Sequence, residues 1–203
     1  MDNIQLSQVI CTRINHDLIS NAGALSNALE LMEEGDDEFL GDIKKILSVS
    51  SKVLSARMKF FRLAFGLENT SLSDSPNVFK IIETYLNTLG SMQYHFDFAA
   101  KDTLPEHNRV ILLAVMVLAD LMLKGGEIKT CYENGTLWFS AFSPAGFSES
   151  KIEAMEKIIN GAEEYDSDAQ YAHILCLREY LKKADKISLR KTDEESLVVS
   201  IKM

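Results

Sequence analysis

Residues 4–32 read IQLSQVICTRINHDLISNAGALSNALELM, a stretch without proline and without strand-like alternation. Ile4, Cys11, Leu18, Leu25 and Met32 recur every seven positions, with Ile14 and Ala28 three residues after Cys11 and Leu25. Ala22 and Leu29 widen the stripe, which reads as the seam of a helical bundle. The helix is predicted to stop near Gly35, inside the acidic turn Glu33 to Asp37. A second periodic run passes through Leu40, Ile43, Leu47, Leu54 and Phe61 and ends at Phe65-Gly66. Two long helices joined by a few residues pack antiparallel. Pairing two such hairpins into a dimeric four-helix bundle is the economical way to cover their apolar faces.

Working outward, Leu67 to Ser75 (LENTSLSDS) is a polar linker. Pro76 to Leu89 reads as a helix. Met92 to Ala99 reads as a half-buried strand, with Tyr94, Phe96 and Phe98 on one face. A helix over Glu106 to Leu123 ends at Gly125-Gly126. Two strands, Glu127 to Cys131 and Thr136 to Phe142, flank the hairpin turn Glu133-Asn134-Gly135. Helices over Ser148–Asn160 and Asp168–Ala184 and strands over Lys186–Arg190 and Ser196–Lys202 complete an α+β fold, a sheet with helices on one face. The expected organisation is a hairpin domain at 1–67, a linker at 68–75 and an α/β domain at 76–203.

Bulk properties narrow the function. The 203 residues are 46% hydrophobic and 25% charged, ordinary values for a globular chain with a full core. A net charge of -9 disfavours nucleic acid as a partner. Cys11, Cys131 and Cys176 are odd in number and lack ligand spacing, so neither a disulfide framework nor a zinc site is expected. The longest apolar stretch, Val110 to Leu123, is interrupted by Asp120 and too short for a bilayer span. With no secretory signal read at the N-terminus, the expected location is the cytoplasm.

One residue stands out chemically. In the heptad frame His16 falls opposite the seam, exposed on a rigid helix, and the same outer stripe continues through Gly23, with Ser20 one turn away. Small neighbours leave room for a second protein to reach the ring. A neutral imidazole is a competent nucleophile near neutral pH, and phosphoryl transfer asks mainly for positioning and charge stabilisation. Asp17 is placed to accept the Nδ1 proton and free Nε2. Arg13, one turn earlier, is placed to offset phosphoryl charge. The competing reading is a solvated helix face that carries these residues by chance.

The run TRINHDLISN (residues 12–21), continued by GALSNALEL (residues 23–31), resembles the phosphoacceptor helix of ChpT-type histidine phosphotransferases, relay proteins of alphaproteobacteria. Residues 60–66, FFRLAFG, resemble that family's signature at the end of the second helix. The resemblance implies a homodimer with a four-helix bundle and a C-terminal α/β sandwich like a degenerate histidine-kinase ATP-binding domain. It implies His16 as phosphoacceptor and Asp17 as its acid. The implied partners are the receiver domain of a CckA-type hybrid histidine kinase and response regulators of the CtrA and CpdR types. Arg13, Ser20, Gly23 and Asn27, with Ser51 and Ser55 on the second helix, form the expected receiver-docking face. Mg²⁺ is expected on the receiver, whose carboxylates hold it, and no cofactor on this chain. Asn21 stands where the family often has proline.

Neither a D-x-G-x-G nor a GxxxxGK[ST] loop occurs, so no nucleotide site is expected, even with Asn108 on a helix of the kinase type. Two further readings are an ATP-dependent histidine kinase, disfavoured by that missing loop, and a non-catalytic adaptor for receivers. Of the remaining residues, His95 and His107 are expected at the surface, His173 on the core or surface, and Trp138 in the core. Phe60, Phe61 and Phe65 are expected in packing. The basic run Arg178, Lys182, Lys183 and Lys186 is expected to be a solvated helix end.

Overall fold

The computed structural model describes residues 1–33, 39–66, 72–89, 93–98, 105–181 and 186–203. Helix α1 spans Asn3–Glu33 and α2 spans Leu40–Phe65, packed side by side as the expected hairpin. The acidic turn between them lies outside the described residues, apart from Glu33. The carboxylate of Asp2 opens α1 by accepting the Gln5 N–H at 2.7 Å, satisfying a donor that has no partner within the helix. Helix α2 closes at Gly66, whose N–H donates to the Arg62 carbonyl at 3.0 Å. A Cβ at Gly66 would stand 2.1 Å from that carbonyl oxygen, so the stop needs glycine. The Arg57 guanidinium staples the hairpin, donating to the carbonyls of Asp17 (2.6 Å) and Thr88 (2.8 Å).

The strict seven-residue seam departs from what is observed. On α1, Val9 and Ala28 are buried and Leu6, Ile10, Ile14, Leu18 and Leu25 half-buried, whereas Ile4, Cys11 and Met32 are exposed in the single chain. A straight helix drifts about 20° per heptad from a 3.5-residue repeat. Over four heptads the two ends of the seam therefore rotate off the packed face.

Helix α3 spans Ser75–Leu86, with Pro76 in its first turn and the Asp74 carboxylate accepting the Asn77 N–H at 3.4 Å. The last residues of the expected linker are thus a helix cap and a helix start. Strand β1 (Gln93–Phe98), helix α4 (Asn108–Leu121), strands β2 (Gly125–Glu133) and β3 (Thr136–Phe142), helices α5 (Glu149–Ile159) and α6 (Ala172–Leu181), and strands β4 (Ile187–Lys191) and β5 (Ser196–Lys202) follow. The sheet order is β1-β2-β3-β5-β4, with β1 parallel to β2 and every other pair antiparallel. The β2–β3 turn has Asn134 at φ 50° and Gly135 at φ 74°. Both lie in the left-handed region that a two-residue hairpin requires.

The mixed helical and sheet architecture matches the expected α+β class. Leu137, Phe139 and Ala141 of β3 and Leu197, Val199 and Ile201 of β5 are buried on one face of the sheet. Helix α4 is the centre of the molecule: every residue from Asn108 to Ala119 except Arg109 is buried. It packs against α2, α3 and α6 as well as β2. One apolar cluster runs without a break from Val9, Phe60 and Leu63 through Ile82 and α4 to the sheet. Phe60 stacks on Tyr85, ring centroids 3.8 Å apart, joining the hairpin to α3.

Several single-residue expectations change. His107 is buried, its ring 4.8 Å from that of Tyr132, because the 3-10 turn Pro105–His107 folds it under α4. Trp138 is 42% exposed: residues 137, 139 and 141 fill the inner face, and period-2 alternation sends 138 outward. Arg178 is half-buried, pairing with Asp166 at 3.0 Å and donating to the Ile158 carbonyl at 3.2 Å; Lys182 and Lys183 lie outside the described residues. His95 is exposed, Phe60 and Phe61 are core and Phe65 is half-buried, as expected.

Candidate functional site

Helix α1 presents His16 with 85% of its side chain exposed. The neighbouring Asp17 carboxylate lies 3.6 Å from Nδ1, beyond hydrogen-bond length but close enough to bias the ring. Asp17 is only 18% exposed because α1 turns it toward the second half of the chain. There Arg13 Nε donates to Asp17 Oδ2 at 2.8 Å. The same guanidinium takes Asp120 of α4 in a two-point grip, Nη1 to Oδ2 at 3.1 Å and Nη2 to Oδ1 at 3.2 Å. A further bond, Nη1 to the Gln170 carbonyl at 2.7 Å, completes its shell.

Arg13 is therefore not a spare cation waiting for phosphate. Two carboxylates already engage it, which holds its pKa above the usual guanidinium value although burial opposes the charged form. Burial likewise works against ionised Asp120, yet His173, Arg13 and Lys151 outweigh it and keep the carboxyl below the usual range. Lys151 of α5 donates to the Asp120 carbonyl at 3.0 Å. His173 is fully buried, with Nε2 3.6 Å from Asp120 Oδ2 and neither ring nitrogen hydrogen-bonded among the described residues. Burial pushes it down to about 4 against the pull of Asp120, so its ring is neutral near pH 7.

Arg13, His16, Asp17, Asp120, Lys151 and Gln170 line one open cleft of about 270 Å³. The second half of the chain thus supplies a wall of the His16 surroundings. Ser20, Gly23 and Asn27 continue the exposed face of α1, and a Cβ at Gly23 would meet nothing within 4 Å. Ser51 and Ser55 are exposed but line a different cleft, between α2 and α3. Helix α1 runs without a break through Asn21. Asn108 is buried, donating from its amide to the Leu72 carbonyl at 2.7 Å. Among the described residues no group of three or more His, Cys, Asp or Glu could hold a metal ion, and no helix is long and apolar enough to cross a membrane.

Sequence reasoning missed Asp120, Lys151, Gln170 and His173 as neighbours of the site. A readable clue existed for Asp120: it is the lone charge in the apolar run Val110 to Leu123, and a carboxylate so placed needs a cation.

Comparison of sequences finds 31% identity over 132 residues with the protein phosphotransferase ChpT of Brucella abortus (strain 2308), covering 62% of this chain. The chain resembles ChpT. The match spans 59% of that relative's length. No family model matches the chain. Among solved structures, a bacterial phosphotransferase superposes with a TM-score of 0.80 at 22% identity, covering 98% of this chain and 97% of that one. The two share a fold from end to end. The Acinetobacter baumannii histidine kinase AdeS superposes with a TM-score of 0.47 at 13% identity, over 93% of this chain and 98% of that one.

Two outcomes follow from the Arg13 network. Arg13→Ala strands a partly buried carboxylate and is expected to lower unfolding free energy by about 3 kcal/mol, read from urea midpoints at constant m-value. His173 has a folded pKa below its unfolded value, so the unfolded chain takes up the proton first as pH falls. Stability is therefore expected to drop by about 1 kcal/mol between about pH 7 and about pH 5.5. His107, lowered by burial in the same direction, adds to this loss, whereas the Asp120 contribution disappears only at more acidic pH. In His173→Gln the slope over that window should flatten, as measured by urea titrations at both pH values.

Proposed function

We propose that this chain is a histidine phosphotransferase that relays a phosphoryl group between receiver-domain aspartates through His16, without hydrolysing ATP. The observation that carries the reading is an imidazole standing clear of the surface of a paired helix, with a braced carboxylate on its Nδ1 side. The sequence likeness to ChpT and the shared fold with a bacterial phosphotransferase support it.

In the first half-reaction, a lone pair on His16 Nε2 attacks the phosphorus of a receiver's aspartyl phosphate. The P–N bond forms as the P–O bond to the aspartate breaks, and the aspartate departs as a carboxylate. Asp17 favours the tautomer that carries its proton on Nδ1, which leaves Nε2 unprotonated, and it offsets the positive charge that builds on the ring. The second half-reaction is the reverse step toward another receiver. Mg²⁺ belongs to the receiver's carboxylates. Arg13 acts by holding Asp17; the cation of the cleft nearest in role to a phosphate partner is Lys151.

The proposed docking face is the outer side of α1, from His16 through Ser20 and Gly23 to Asn27. The proposed partners are a hybrid-kinase receiver of the CckA type and regulators of the CtrA and CpdR types, which places the reaction in the cytoplasm. In the proposed division of labour, residues 1–67 carry the chemistry, 68–75 connect, and 76–203 brace the hairpin through the shared core.

The proposed active form is a homodimer. A groove of about 280 Å³ between α1 and α2, lined by Ile10, Ile14, Leu18, Met58 and Phe65, is open in the single chain. Met58 of that lining is exposed in the single chain. A second hairpin would cover it and complete a four-helix bundle.

His16→Ala is expected to abolish acid-labile phosphate incorporation from a phosphorylated receiver, with helicity and mass in solution unchanged; transfer retained in that variant would overturn the assignment. Asp17→Asn is expected to slow transfer by about tenfold to a hundredfold with a smaller effect on receiver binding, measured in single-turnover assays. Light scattering at micromolar concentration is expected to return twice the chain mass, and a strictly monomeric species would remove the bundle from the proposal.

A further inference from the structure

The cleft between α2 and α3 takes no part in the chemistry above. Its volume is about 790 Å³, within the ~300–1,000 Å³ usual for small-molecule sites. Lys52, Lys59 and Arg62 come from α2 and Lys80 from α3, and among the described residues no carboxylate lines it. On a chain of net charge -9 this is a local reversal of sign. The reversal belongs to α2, which carries Lys44, Lys45, Lys52, Arg57, Lys59 and Arg62 against the single carboxylate Asp42.

Spacing explains why the charges share one wall. Lys52 and Lys59 are seven residues apart, two turns along one face, and Arg62 follows one turn later. Lys80 reaches in from the facing helix. Among the described residues the ammonium groups of Lys52, Lys59 and Lys80 form no ion pair with a carboxylate. The three ammonium groups held together repel one another, and a multiply charged anion relieves that repulsion at several points.

Between the cations stand the hydroxyls of Ser51 and Ser55 and the amide of Asn77, donors suited to phosphate oxygens. The apolar side chains of the lining are Ala56 and Ile81, and among the described residues no aromatic ring stands there to stack a base. The walls therefore read phosphates and not a nucleobase. A docked polypeptide typically covers roughly 800 Å² of flatter surface per partner; here the cations line one concave space.

We infer that the α2–α3 cleft is a binding site for a small polyphosphate anion. It stands on residues separate from His16, so the failure of either reading leaves the other intact.

The test is calorimetry on the full chain at low ionic strength with sodium tripolyphosphate, orthophosphate and ATP as probes. Tripolyphosphate is expected to bind saturably, orthophosphate far more weakly, and ATP within a few-fold of tripolyphosphate. The double variant Lys59→Ala/Lys80→Ala, both exposed side chains, should weaken tripolyphosphate binding by about tenfold or more. Lys44→Ala/Lys45→Ala removes the same charge from α2 outside the cleft and should change it by less than about twofold. Unchanged circular dichroism and melting confirm that both variants fold. No saturable binding at low millimolar tripolyphosphate, or an equal loss in both variants, overturns the site. ATP binding more than about tenfold tighter than tripolyphosphate overturns the assigned ligand class in favour of a nucleotide.

Discussion

A guanidinium gripped by two carboxylates connects the His16 helix to the rest of the molecule. Arg13 holds Asp17, beside His16, with one edge and Asp120, in the buried helix α4, with the other. A charge pair at this depth adds little to stability against an apolar replacement, but each partner is costly to leave alone. The consequence is geometric. Asp17 is aimed by a bond network anchored in the core, so the carboxylate next to the imidazole has a defined place before any partner arrives.

That arrangement also explains why the second half of the chain is more than an appendage. Helix α4 is apolar around its whole circumference because helices enclose it on several sides and the sheet closes another. Between Val110 and Leu121 such a helix has room for its one charge, Asp120, where a partner reaches in, and that partner is Arg13 of α1. Lys151, Gln170 and His173 gather around the same point from α5, the 3-10 turn before α6, and α6 itself. The proposed chemistry sits on one helix; its electrostatics are set by four elements.

The molecule keeps two faces apart. The cleft at His16 is narrow and mixed in charge, whereas the α2–α3 cleft is wide and cationic. A phosphoryl relay needs its nucleophile accessible and lightly screened, since the electrophile and its metal come with the partner. In the proposed relay, a strong cationic field directly over His16 would hold the phosphoryl group where it has to be handed on.

The paired helices, the Asn134-Gly135 hairpin and the exposure of His16 were legible in the sequence, because each depends on contacts or dihedrals within a few residues. Periodicity places side chains on faces, glycine and asparagine admit positive φ, and a histidine off the apolar stripe points outward. The burial of His107, the exposure of Trp138 and the ends of the α1 seam were not legible, since each turns on which face of an element meets a neighbour. The role of Arg13 shows the limit most plainly. Its spacing from His16 is local and suggested a free cation for phosphate, whereas its actual partner, Asp120, lies 107 residues away along the chain. Only tertiary packing brings that carboxylate within 3.1 Å, and with burial the pair becomes a structural clamp.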